Sequence, residues 1–173
     1  MDLGRWLTDL EALHEKARTG TLDPAESREY RSRRAELARA LLAAQSLTRL
    51  PGQAHRQSLR VARALQVEIA GAGRRERLTT FDISMGGFAA PMGAAPATGE
   101  TFTATIRLPG ADPLVTPVKV VGVSPQTGYV RVSFSFGRLE GAAAELLELA
   151  IFDLVLAQLR TRANAALSPV PGT

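Results

Sequence analysis

Hydrophobic positions in the first fifty residues recur at spacings of three and four. Leu3, Trp6, Leu7, Leu10, Leu13 and Ala17 share one helical face, and Gly20 stops that helix. Asp23-Pro24-Ala25-Glu26 is a second helix start. Asp23 suits the cap, Pro24 the first helical position, and Glu26 the place three residues on that bonds back to the cap. The helix that follows runs to about Leu47, with Tyr30, Leu37, Ala38, Leu41 and Leu42 on its apolar side. Charges such as Arg28, Glu29, Arg31, Arg33, Arg34 and Glu36 lie between them. Residues 1–50 therefore read as a helical hairpin. Its apolar stripe needs a cover, either the rest of the chain or a second copy.

The period then changes. Pro51-Gly52 ends the helical region, because proline disfavours helix at the residue before it. Residues 51–58 are polar and aperiodic, which predicts a linker. From Leu59 onward short alternating runs predict strands: Val61 to Ile69, Leu78 to Ile83, a run from Gly86-Gly87-Phe88, Thr101 to Leu108, Val115 to Val123, and Tyr129 to Phe136. Gly71-Ala72-Gly73, Pro109-Gly110 and Pro125-Gln126-Thr127-Gly128 are the turns between them. Six short strands joined by Gly/Pro turns predict a small barrel or sandwich. A last helix, Leu139 to Ala165, is apolar over a wide arc and so calls for burial on more than one side, against the strands and the hairpin or at a dimer interface. Residues 59–166 make the strand-and-helix domain, and 167–173 a tail.

Composition narrows the classes. The 173 residues contain no cysteine, which excludes disulfides and a thiol nucleophile. The start Met1-Asp2-Leu3-Gly4-Arg5-Trp6 lacks the layout of a signal peptide, and Ala142 to Leu159 is broken by Glu145, Glu148 and Asp153. A cytoplasmic protein without a membrane span is expected. Net charge is +4, and residues 51–87 carry six arginines against three acids. Arginine's planar fork suits phosphate oxygens and the O6/N7 edge of guanine, although a solvated basic face would show the same surplus.

Two short motifs lie in that segment. Arg56-Gln57-Ser58-Leu59-Arg60 is R-x-x-x-R, at the end of the linker; Asp82-Ile83-Ser84-Met85-Gly86-Gly87 is D-x-S-x-x-G, at the end of the second strand. Each alone is weak. Their order, their separation of about twenty residues and the strand pair between them are much more specific.

In these motifs the chain resembles the PilZ family of cyclic di-GMP receptors, over about residues 53–163. The resemblance implies an α+β fold: a six- to seven-stranded antiparallel PilZ-type β-barrel with a C-terminal helix, here preceded by the helical hairpin. It implies a cyclic di-GMP effector or adaptor that is not an enzyme and uses no cofactor. Arg56, Arg60, Asp82, Ser84 and Gly87 would bind the ligand, joined by His55 and Gly86. Arg56 and Arg60 can bond guanine O6/N7 or phosphate; Asp82, acceptor-only when ionised, fits the guanine N1–H and N2–H₂ edge; Ser84 can bond guanine or phosphate. Gly87 leaves room for close backbone approach, and Gly86 does the same or takes a positive φ. In relatives the position of His55 influences whether one ligand or a stacked pair binds. The linker would close over the ligand and change how the N-terminal helices meet a protein partner; a homodimer fits the same layout. Asp82 and Ser84 equally suit a turn capped by side chain to backbone bonds, and Arg63, Arg74, Arg75 and Arg77 read as surface charge. A nucleic-acid binder and a PilZ-like scaffold without ligand are the rival readings, the first poorly supplied with aromatics for base stacking. No protease, hydrolase or nucleotide-loop motif is present.

Overall fold

The computed structural model describes residues 3–47, 58–71 and 73–167. The expected linker up to residue 57, with His55 and Arg56, and the expected tail apart from the helical Leu167 lie outside the described residues. The chain divides into two compact units, Met1–Leu59 and Arg60–Thr173.

The first unit is the hairpin of α1 (Leu3–Thr19) and α2 (Pro24–Leu47). Gly20 takes φ 68°, which a residue with a Cβ adopts only at a cost, and the helix stops there. Asp23 Oδ1 accepts the backbone N–H of Ala25 (2.7 Å) and Glu26 (2.8 Å), while Glu26 Oε2 accepts the N–H of Asp23 (3.2 Å). This reciprocal cap satisfies donors that the first turn leaves without helical partners. The Lys16 ammonium bonds Glu26 as well, which holds the Glu26 carboxyl below its usual range and raises Lys16 above its own. Leu10, Leu13, Tyr30 and Leu37 are buried, and so is His14, whose Nδ1 meets the Tyr30 hydroxyl at 2.6 Å.

Among the described residues, the second unit has eight antiparallel strands and one helix. The strands are β1 (Arg60–Ala62), β2 (Gln66–Gly71), β3 (Arg74–Thr79), β4 (Asp82–Ser84), β5 (Gly87–Met92), β6 (Thr101–Ile106), β7 (Leu114–Gln126) and β8 (Tyr129–Phe136). They form one sheet in the order β1-β4-β5-β8-β7-β6-β2-β3. The fold is the α+β architecture expected. Two details differ: there are eight strands, and the ladder runs from one edge, β1, to another, β3, without closing into a ring.

The strand count has a local cause. The first two expected strands form one antiparallel hairpin bent in the middle. On one side of the bend lie three residues, Arg63 to Leu65; on the other lie two, Thr80 and Phe81. Three against two is the count of a β-bulge, which bends a strand and strengthens its twist. Buried Thr80 fastens the bend: its hydroxyl donates to Arg63 O (2.5 Å) and accepts from Leu65 N (3.0 Å), and its own N–H donates to Leu65 O (3.0 Å). Beyond the bend, β1 and β4 pair toward β5, while β2 and β3 pair toward β6.

Alternation carries the core. β7 reads buried-exposed through Leu114, Val115, Thr116, Pro117, Val118 and Lys119. Val61, Ile83, Phe88, Ala90, Met92, Val120, Val132 and Phe134 are buried, with Phe88 stacked on Phe134 at 4.8 Å between centroids. Helix α3 (Gly141–Leu167) packs on the unit, and Gln158 donates to the carbonyl of Ala62 at 2.6 Å. Its buried residues Leu147, Ala150, Ile151, Leu154 and Val155 define one face, and Phe152 and Leu156 widen it.

Candidate functional site

The strand register decides which residues share the outer face. Arg60 lies opposite Ser84, Ala62 opposite Asp82, Asp82 opposite Ala89, and Ala89 opposite Ser133. Because side chains alternate, Arg60, Asp82, Ala89, Arg131 and Ser133 all project away from the core that Val61, Ile83, Phe88 and Val132 fill.

On that face the motif residues Arg60 and Asp82 meet. Arg60 Nη1 donates to Asp82 Oδ1 at 3.0 Å. The other oxygen, Asp82 Oδ2, accepts from Arg131 Nη2 at 2.6 Å. Arg131 comes from β8, two strand spacings or about 10 Å from β4, and reaches over β5, where the intervening residue is the small Ala89. Asp82 is 17% exposed, and the Arg60 and Arg131 side chains 38% and 37%, so both guanidinium groups remain reachable from solvent. Two cations around one carboxylate leave a local excess of positive charge. Each guanidinium carries five N–H donors and an ionised carboxylate has about four lone-pair sites, so the cluster can bond more than itself.

Arg131 was not singled out from the sequence. It is 49 positions from Asp82, and the one available signal was a cation at an outward position between Val130 and Val132. Aromatic residues were missed too. The Phe81 ring centroid lies 4.8 Å from Arg131 Cζ and 5.7 Å from the ring of Tyr129.

Ser84 and Gly87 are placed by the turn between β4 and β5. The buried Ser84 hydroxyl donates to Gly87 O (3.2 Å) and accepts from Gly86 N (3.3 Å), a side-chain cap of the turn. Gly86 O accepts the N–H of Phe136 at 3.0 Å. The positive φ of the glycine pair falls at Gly87, at 155°. A Cβ there would lie 1.9 Å from the carbonyl oxygen of Phe134, so the space left by the missing side chain is taken by β8. Arg63 and Arg77 are exposed, and Arg75 bonds Glu68 at 2.8 Å. Among the described residues, no group of three or more His, Cys, Asp or Glu could hold a metal ion, and no helix is long and apolar enough to cross a membrane.

The family model described as the PilZ domain matches residues 54–153. Among solved structures, the Bacillus subtilis inhibitor of motility (MotI/DgrA) is 23% identical with a TM-score of 0.51, over 62% of this chain and 53% of that one. YcgR from Escherichia coli in complex with c-di-GMP is 19% identical with a TM-score of 0.55, over 64% of this chain and 50% of that one. The MrkH–c-di-GMP complex from K. pneumonia is 18% identical with a TM-score of 0.57, over 63% and 56%. The chain thus spans about half the length of these proteins. No curated protein matches the chain by sequence. The family model takes in more than half of the 173 residues and includes both motifs from Arg56 to Gly87, and the chain belongs to the PilZ domain family.

Proposed function

We propose that this protein is a cyclic di-GMP receptor that acts as an effector or adaptor and carries out no catalysis. The observation that carries the reading is the cluster Arg60–Asp82–Arg131 on the outer face of the sheet, where two half-buried arginines converge on one carboxylate. Cyclic di-GMP offers two phosphates and two guanines. The arginine forks suit phosphate oxygens and guanine O6/N7. Asp82 steadies both forks and can accept from the guanine N1–H and N2–H₂ edge. YcgR and MrkH each form a complex with c-di-GMP, which supports the same ligand here.

In this reading Arg56 and His55 close over the ligand as the segment before Arg60 orders. Ser84, Gly86 and Gly87 keep the β4–β5 turn in the shape the ligand meets. Ordering of that segment changes how the N-terminal helices are presented to a protein partner.

Calorimetric titration with cyclic di-GMP, beside linear dinucleotide and GTP controls, tests the reading. Wild type binds the cyclic ligand, which is recovered intact. Arg60→Ala binds roughly ten- to a hundredfold more weakly, as expected when a charged partner costing about 1.5–3 kcal/mol is lost. Absence of heat with the wild type overturns the proposal.

A further inference from the structure

Arg131 is a long side chain with many rotamers, yet it reaches Asp82 Oδ2 at 2.6 Å from two strands away. Phe81 accompanies it. Its ring lies 4.8 Å from the guanidinium carbon, within the range at which a cation is held over an aromatic face. Phe81 is itself anchored. The Phe81 N–H donates to Ala89 O at 2.7 Å, its carbonyl accepts from Arg63 N at 3.2 Å, and Tyr129 packs against it at 5.7 Å and 49°. Tyr129 and Arg131 are two apart on β8 and so share a face, and Phe81 touches both.

In a flat strand Phe81 and Asp82 would point to opposite faces. Here both touch the same guanidinium. The bulged corner at Thr80–Phe81 makes this possible, because Phe81 precedes β4 and escapes its alternation.

We infer that Phe81 is a positioning residue of the ligand site, whose ring holds the Arg131 guanidinium against Asp82 and so sets the carboxylate and both arginines for the ligand. The inference rests on the cyclic di-GMP reading for its effect on affinity, but the positioning itself exists before any ligand arrives.

The test uses the full chain with Phe81→Leu, which keeps apolar bulk but removes the π-face, and Phe81→Tyr, which keeps the face. In the ligand-free protein the guanidinium Nη–H signal of Arg131 that bonds Asp82, assigned by its loss in Arg131→Ala, exchanges slowly with water. It exchanges several-fold faster in Phe81→Leu and as slowly as wild type in Phe81→Tyr. Phe81→Leu weakens cyclic di-GMP binding about three- to tenfold, the range a cation–π contact supplies, and adds no further loss when Arg131 is already alanine. An Arg131 signal unchanged by Phe81→Leu overturns the inference, as does an affinity loss that persists undiminished in the Arg131→Ala background. A wild type that binds no cyclic di-GMP removes the ligand reading alone, because the ligand-free signal is read independently.

Discussion

Gly87 shows how a motif residue can matter for a reason the motif does not state. The sequence made it a place for backbone to approach a ligand. In the structure the approaching backbone is the chain's own: Phe134 O would lie 1.9 Å, and Ser135 Cα 3.0 Å, from an added Cβ, and φ is 155°. Neither neighbour is a flexible side-chain tip that could swing away. Gly87→Ala therefore has to part β5 from β8 next to Asp82, and overpacking of this kind costs about 1–3 kcal/mol or somewhat more. The denaturant midpoint of Gly87→Ala falls accordingly, and unchanged stability would show that β8 gives way freely. Arg60 and Asp82 were legible as site candidates because each sits in a local motif, and the structure adds that they pair at 3.0 Å. Arg131 was not, because its partnership depends on strand order, and a chain read in one dimension does not reveal that β8 lies two strands from β4.

Among elements, helices were the easiest to read. The cap at Asp23 and the stop at Gly20 are chemical signals confined to four residues, and the bonds they foretold are present. The strands were harder, most of all at one place. Leu78 and Ile83 are both buried although five positions separate them, an odd spacing that no single flat strand can satisfy. The slip in parity was in the sequence, and it marks the corner that splits two expected strands into four. Thr80 is the residue that makes the corner. Thr80→Val keeps its shape but removes the hydroxyl, leaving the Leu65 N–H and the Arg63 carbonyl without the partner each has in the wild type. A buried group deprived of its bond costs about 1–3 kcal/mol. Thermal unfolding of Thr80→Val should drop to match. Because the corner also aims Phe81 and Asp82, its cyclic di-GMP affinity should fall with it. A stable Thr80→Val with wild-type affinity would mean that the backbone alone, through Thr80 N to Leu65 O and Arg63 N to Phe81 O, suffices to set the corner.

At the scale of the whole molecule, net charge bears on the choice between a small anionic ligand and a nucleic acid. The charge is only +4 over 173 residues, and the arginine surplus of residues 51–87 is partly neutralised at close range. Arg75 and Arg77 face Glu68, and Arg60 and Arg131 share Asp82. Among the described residues of that segment, what is left is a local excess beside Asp82 and the exposed Arg63. A compact cluster attracts a dinucleotide through a few short contacts, whereas duplex DNA requires many phosphates to be neutralised along its length. The two cases differ in salt dependence. Between 0.1 M and 1 M salt the screening length shrinks from about 10 Å to about 3 Å. Contacts at 2.6–3.0 Å, such as those Asp82 makes, survive that change better than long-range attraction does. Cyclic di-GMP affinity should therefore fall by about tenfold or less over that range, while any binding to duplex DNA, weak at 0.1 M, should vanish. Calorimetry of the full chain with each ligand at both salt concentrations measures this. DNA binding that is tight at 0.1 M, steep in salt and indifferent to added cyclic di-GMP would place the arginines in the service of a polyanion instead.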